Sequence, residues 1–301
     1  MLKIDFELTN ELKEDYIELL CSSRFDSKYG QTVKEKYEAY TILSKEYSFE
    51  EIIFVEPHNI NALVEKVEKL KINKKEIEKI FKYDGKFQPL LASFFEKHLK
   101  PRTCYYCNID YVNVYKEEDG ELKNKFTLDH FVDKGKYPYL ALSLFNLVPS
   151  CYVCNSKIKR DTKFYEDEEL KNTNPYLKSF DFDKKVKFKL FLSDNCKDLN
   201  IKSQDNIEIP LKERYSDEYK KYIKVFRLNE RYKAHKDIVF EMIKNAELYP
   251  ESRLKELQNL TGIPYQEIKK DIFKLIGDEV DLSKEPFSKL KRDMAEELGL
   301  I

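Results

Sequence analysis

The segment TLDHFVDKGKYPYLALSLFNLVPSCYVCNSKIK, Thr127–Lys159, decides how this 301-residue chain is read. Around it, the stretches 124–131 (NKFTLDHF) and 143–151 (SLFNLVPSC) are short and rich in β-formers, and turn-like DKGKYP separates them. From Cys154 onward, CNSKIKRDTKFY has few helix breakers and many helix formers. The predicted local order is therefore strand, loop, strand, helix.

Four of the six cysteines fall into two C-x-x-C pairs, Cys104–Cys107 and Cys151–Cys154, with 43 residues between the pairs. Thiolates at i and i+3 on a tight knuckle can share one Zn²⁺, and two knuckles complete a closed tetrahedron. Such a site has no open position for water, so its predicted role is structural. A redox dithiol would need only one pair in a thioredoxin-like context, which the sequence lacks. Cys21 and Cys196 stand alone and read as small apolar residues.

Between the knuckles lies the dipeptide Asp129-His130. At a strand end neighbouring side chains point differently, so the carboxylate can hold a divalent ion while the imidazole faces substrate. Mg²⁺ prefers oxygen donors, and Asn155 offers an amide oxygen beside the second knuckle. A neutral His130 can take a proton from water. Each residue also has a plainer reading: a packing pair for Asp129-His130, a strand end for Asn146, a helix cap for Asn155. His58, His98 and His235 lack comparable company.

Taken in order, CYYC, LDHF and FNLVPSCYVCNSKIK resemble the HNH endonucleases of the ββα-metal class, in the form reinforced by a four-cysteine zinc site. His130, Asn146 and Asn155 follow one another at separations of 16 and 9 residues. The resemblance implies that Asp129 and Asn155 bind the catalytic metal, that His130 is the general base, and that Asn146 fixes the intervening loop. Asn155 stands where the family name has its last histidine, which favours Mg²⁺ or Mn²⁺. The string further resembles HNH proteins of bacterial anti-phage systems, such as Septu or retron-associated nucleases. These often act with a partner ATPase, and this chain carries no phosphate loop of its own. The alternative is a non-catalytic zinc module that binds nucleic acid or protein.

Outside 101–165, the flanks 1–100 and 166–301 are predicted largely helical. The whole then reads as α+β, mostly α-helical, with a small zinc-stabilised core between helical regions. In the first flank Leu63, Val67, Leu70, Ile77, Ile80 and Phe81 form apolar stripes, and 82–89 reads as a connection. In the second, KKVKFKLFL (184–192) alternates as a strand and an irregular segment follows to about residue 214. Ile238, Met242, Ile243 and Ala246 share a helix face, Pro250 ends that helix, and Ser252 is placed to cap the next. A last helix is predicted near 287–298.

Lysines and arginines number 54 against 55 acidic residues, so any polyanion contact must come from a local patch. Lys157, Lys159, Arg160 and Lys163 after the second knuckle, with Lys134 and Lys136 in the loop after LDHF, form the predicted nucleic-acid patch, DNA foremost. The N-terminal stretch lacks a signal-like apolar run, and no run of 18 apolar residues follows, which predicts a cytoplasmic chain.

Overall fold

Hydroxyl caps set three of the described helix starts in the first third of the chain. Thr32 and Ser48 each close a capping box, with Glu35 and Glu51 reaching back to the cap backbone. Thr9 accepts from the Leu12 amide at 3.2 Å and starts the first helix. The computed structural model describes residues 1–22, 31–83, 87–118, 120, 122–194, 196, 201–277 and 280–301. Over these the chain is α+β and mostly helical. Residues 84–86 of the expected connection at 82–89 lie outside the described residues.

The chain divides into two compact units, one of residues 1–106 with 110–180, the other of 107–109 with 181–301. Among the described residues of the first unit seven α-helices precede the sheets: α1 (Asn10–Cys21), α2 (Val33–Ala39), α3 (Thr41–Ser44), α4 (Phe49–Ile53), α5 (Ile60–Lys69), α6 (Lys74–Ile80) and α7 (Phe87–His98). Their core is aromatic. Tyr37 packs edge-on to Phe81, and Tyr16 edge-on to Phe94 at 4.7 Å. Along α5 the buried stripe is Ile60, Leu63, Val64 and Val67, whereas Leu70, expected in it, is half-buried at the helix end.

Two hairpins follow. β1 (Val114–Lys116) pairs antiparallel with β2 (Leu122–Asn124), and β3 (Thr127–His130) with β4 (Leu147–Ser150). In the second pair Asp129 sits opposite Val148 and His130 opposite Leu147. The helices hold the loop joining these strands: the Tyr16 hydroxyl donates to the Leu142 carbonyl at 3.0 Å, and the Ser143 hydroxyl to the Ile52 carbonyl at 2.7 Å. Pro149 is tolerated in β4 because a two-stranded sheet has only edges.

After β4 comes a short helix, Val153–Lys159, wider than an α-helix: the Arg160 amide reaches back five residues to the Asn155 carbonyl at 3.0 Å. Such an insertion rotates the later side chains relative to an α-helical register. Arg160 ends it at a positive φ of 43°, uncommon for a residue with a side chain. The expected longer helix is thus one wide segment of seven residues, and Lys163 lies beyond it.

In the second unit the expected strand 184–192 is divided. Lys184 and Lys185 close the short α8 (Phe182–Lys185), β5 (Val186–Phe188) pairs with β8 (Leu211–Glu213), and β6 (Phe191–Leu192) with β7 (Ile207–Glu208). The segment expected to be irregular therefore supplies two partner strands. Helices α9 (Lys220–Val225), α10 (Leu228–Tyr232), α11 (Lys236–Leu248), α12 (Glu251–Thr261), α13 (Tyr265–Phe273) and α14 (Ser288–Glu297) complete it. Along α11, Val239, Met242 and Ile243 are buried, with Ile238 and Ala246 at the margin. Pro250, not Ser252, is the N-cap of α12; its fixed φ suits the helix entrance and places Ser252 inside.

Candidate active site

Within β3 the pleat puts Thr127 and Asp129 on one face, since alternate residues share a side. The Asp129 carboxylate is buried and held at both oxygens. The Tyr106 hydroxyl donates to it at 2.6 Å, and the Lys159 ammonium lies 2.9 Å away. Lys159 also donates to the His130 carbonyl at 2.9 Å, and its side chain is 6% exposed. Expected among the solvent-facing phosphate contacts, Lys159 is instead turned inward, because the wide helical turn rotates it toward the carboxylate.

His130, at the end of β3, is half-buried. Its Nε2 lies 2.9 Å from the Ala141 carbonyl. A carbonyl only accepts, so Nε2 carries a proton and, in the neutral ring, Nδ1 keeps its lone pair. Burial pushes the imidazole pKa down to about 3, helped by the charges of Lys134 and Lys159, against the upward pull of the Ala141 bond and Asp133. The ring is neutral at ordinary pH.

Asn146 is buried in the turn entering β4. Its Oδ1 accepts from the Val132 amide at 2.6 Å, and its Nδ2 donates to the Val132 and Leu140 carbonyls at 3.1 and 2.9 Å. The Phe131 amide donates to the Asn146 carbonyl at 3.1 Å. One side chain thus ties both ends of the loop that carries Ala141, the residue holding His130. Asn155, in the first turn of the wide helix, donates through Nδ2 to the Thr127 hydroxyl at 2.9 Å, two residues from Asp129 along β3. That bond leaves its Oδ1 as an acceptor.

Asp129, His130 and Asn155 line one open cleft of about 350 Å³, walled also by Lys134, Lys159 and Arg160. Asn146 lies behind it. Tyr83 also lines the cleft, a residue the sequence reading missed because it comes from a connection 47 positions before His130. Its ring stands edge-on to His130 at 4.6 Å, and the Lys134 ammonium lies 4.4 Å from the ring centre. The Tyr83 hydroxyl is buried with no hydrogen-bond partner, and burial together with the Asp129 charge raises its pKa. An unsatisfied donor of this kind suits a phosphate oxygen.

Of the other expected cations, Lys163 also lines the cleft, whereas Lys157 and Lys136 are not part of its lining. Lys157 is exposed and its ammonium lies 5.6 Å from the Tyr152 ring centre. Lys136 pairs with Glu166 at 3.1 Å, and Lys163 with Asp133 at 3.2 Å. Arg160 is exposed at the helix end.

Behind the hairpin the ligand atoms of Cys104, Cys107, Cys151 and Cys154 lie within 4.8 Å of one another, all buried, and could hold a metal ion. The first knuckle rests on β4 through the Tyr105 amide, which donates to the Pro149 carbonyl at 3.3 Å. In the second, the Cys154 amide points at the Cys151 sulfur at 3.3 Å, polarity suited to a thiolate. Among the described residues no helix is long and apolar enough to cross a membrane. Comparisons with protein-family models, curated proteins and solved structures find no match.

Proposed function

We propose that the chain is a metal-dependent endonuclease of the HNH kind that hydrolyses phosphodiester bonds of nucleic acid, DNA first among them. The observation that carries the reading is His130: a neutral imidazole, its Nε2–H spent on the Ala141 carbonyl, in a cleft shared with Asp129 and Asn155. The Nδ1 lone pair is the base that takes a proton from an attacking water. Asn146 keeps the ring in that orientation by fixing the loop on which Ala141 sits. Lys134 and the Tyr83 hydroxyl meet the phosphate oxygens.

The donor set fits a hard divalent ion, because Asp129 supplies carboxylate oxygens and Asn155 an amide oxygen in the same cleft. Mg²⁺ or Mn²⁺, when bound there, supplies positive charge to the phosphate and the departing oxygen. Lys159 competes for the same carboxylate. Zn²⁺ suits the four-cysteine cluster in a structural role, and anti-phage defence beside a partner ATPase is the setting the sequence resemblance suggests, in the cytoplasm.

Cleavage of supercoiled plasmid in Mg²⁺ tests the reading. His130→Ala should lower the rate by about 10²–10⁴-fold, the usual worth of a positioned base, while zinc content stays unchanged. Wild-type levels of cleavage in that variant would remove His130 from the mechanism. One observation favours a second reading, a non-catalytic zinc-stabilised nucleic-acid- or protein-binding module: the Lys159–Asp129 pair already neutralises the carboxylate. That reading requires the wild-type chain to bind without cutting.

A further inference from the structure

The cleft does not end at Asn155. Thr127 and Gln88, which form part of its wall, also line a second groove of about 390 Å³ whose far side is Lys125 and Tyr152. Thr127 is two residues from Asp129 in β3, so the two grooves meet about 7 Å along the strand from the candidate metal ligand. Tyr152 is 56% exposed although it sits between the two ligating cysteines of a buried knuckle, and Tyr115, across from Lys123 in the β1–β2 hairpin, is 41% exposed. Each ring has a lysine over it: Lys157 at 5.6 Å from the centre of Tyr152, and Lys125 at 5.7 Å from the centre of Tyr115.

Singly exposed aromatic residues need no explanation. Here, however, one ring and one ammonium group, Tyr152 and Lys125, line a groove that shares its wall with a site proposed to act on phosphodiesters, and each is extended beyond the lining by a partner, Lys157 beside Tyr152 and Tyr115 beside Lys125. Flat rings beside cations are the two components that hold a polynucleotide without pairing: rings stack on base faces, lysines follow the phosphates. A duplex offers only its phosphates to such a surface, because its base faces are already stacked on one another. Tyrosine loses little rotamer freedom on contact, which suits a stacking platform.

We infer that this second groove seats an unpaired polynucleotide strand, with bases on Tyr152 and Tyr115 and phosphates on Lys125 and Lys157, and leads that strand to His130. The inference rests on the nuclease reading for what happens at the end of the groove, and stands apart from it for binding. Its substrate class is a single-stranded or locally opened nucleic acid. DNA and RNA share the base faces and phosphates that this chemistry reads.

The test is fluorescence anisotropy of the full-length His130→Ala chain in Mg²⁺, with labelled oligothymidylate, oligouridylate and a mixed-sequence duplex, each about 20 nucleotides long and so longer than a typical single-strand site. Unpaired strands should bind more tightly than the duplex. Tyr152→Ala and Tyr115→Ala should each weaken unpaired binding by about tenfold, the usual worth of one stacked base, and leave duplex binding unchanged. Tyr152→Phe, which keeps the ring, should bind as its parent does. Equal binding of oligothymidylate and oligouridylate assigns recognition to the shared bases and phosphates, and a preference for one names the natural strand. Duplex binding as tight as that of either single strand, or alanine variants that bind unchanged, overturns the inference. If the wild-type chain cuts nothing while the single-strand preference holds, the nuclease reading alone has failed.

Discussion

Two buried lysine–aspartate pairs, one in each unit, have the same chemistry and different surroundings. In the second unit Lys289 and Asp293, one turn apart on α14, are 2.9 Å apart and both fully buried. Every neighbour there is structural: Lys289 also donates to the Asp183 carbonyl at 3.0 Å, Asp293 accepts from the Phe188 amide at 2.9 Å, and Arg292 pairs with Asp183. The network pins α14 to β5 and α8. In the first unit Lys159 and Asp129 are almost as buried, but their pair forms the wall of an open cleft beside a tethered imidazole and an unsatisfied hydroxyl. A pair enclosed by backbone and by further ion pairs, as here with Lys187 and Asp183, serves the fold. A pair that borders a cavity is available to a ligand.

The largest expected effect breaks the closed pair. Asp293→Asn leaves two ammonium groups, Lys289 and Lys187, against a neutral amide, with Asp183 remaining as a carboxylate partner of Lys289 at 3.2 Å, and should cost about 3–5 kcal/mol of unfolding free energy, read by urea denaturation. Cleavage per folded molecule should be unchanged. If that variant is no less stable than wild type, the contrast between a structural and a functional pair is lost.

An intermediate effect is expected at the open pair. Lys159→Met removes the competing cation from Asp129, and Mn²⁺ binding measured by titration calorimetry should tighten by about tenfold, the equivalent of one pKa unit of charge interaction. Unchanged or weaker Mn²⁺ binding would show that the ammonium and a divalent ion do not share the carboxylate.

The smallest effect separates the pairs by pH. His130 has a folded pKa of about 3, below its ordinary 6.5, so its contribution to stability is complete above pH 6.5 and is lost as pH falls toward 3. Burial would raise the pKa of Asp183, but the charges of Lys289 and Arg292 outweigh it and the net shift is downward. Its contribution is present above the ordinary carboxylate range and is lost only as pH falls through the lowered value. Hydrogen exchange during acid titration should therefore show the cleft hairpin loosening before α14. His130→Gln should abolish the earlier step, and simultaneous loosening in the two places would contradict the assignment.

What the sequence revealed follows from how local each feature is. β3, β4 and the cysteine pairs were legible because their signals lie within a few residues: short stretches rich in β-formers bounded by turn residues, and thiols three apart. The inward turn of Lys159 was not, since reading KIKR at an α-helical period gives a solvent face, and only the five-residue hydrogen bond at Asn155 displaces it. Tyr83 and Tyr106 were missed for another reason. Each reaches a site residue, His130 for Tyr83 and Asp129 for Tyr106, through tertiary packing across more than 20 residues of chain, where no spacing rule operates. Lys289 and Asp293 carry no burial signal in the sequence, because an i, i+4 charge pair reads the same whether solvated or enclosed.

Tyr106 carries one further consequence, for chelation experiments. It lies between Cys104 and Cys107, and its hydroxyl holds the Asp129 carboxylate at 2.6 Å. Stripping a metal from the cysteines would free that loop and release the carboxylate together with it. Loss of activity in EDTA would then have two causes with one appearance. Only the order of add-back, zinc first and then magnesium, tells a missing catalytic ion from a collapsed support.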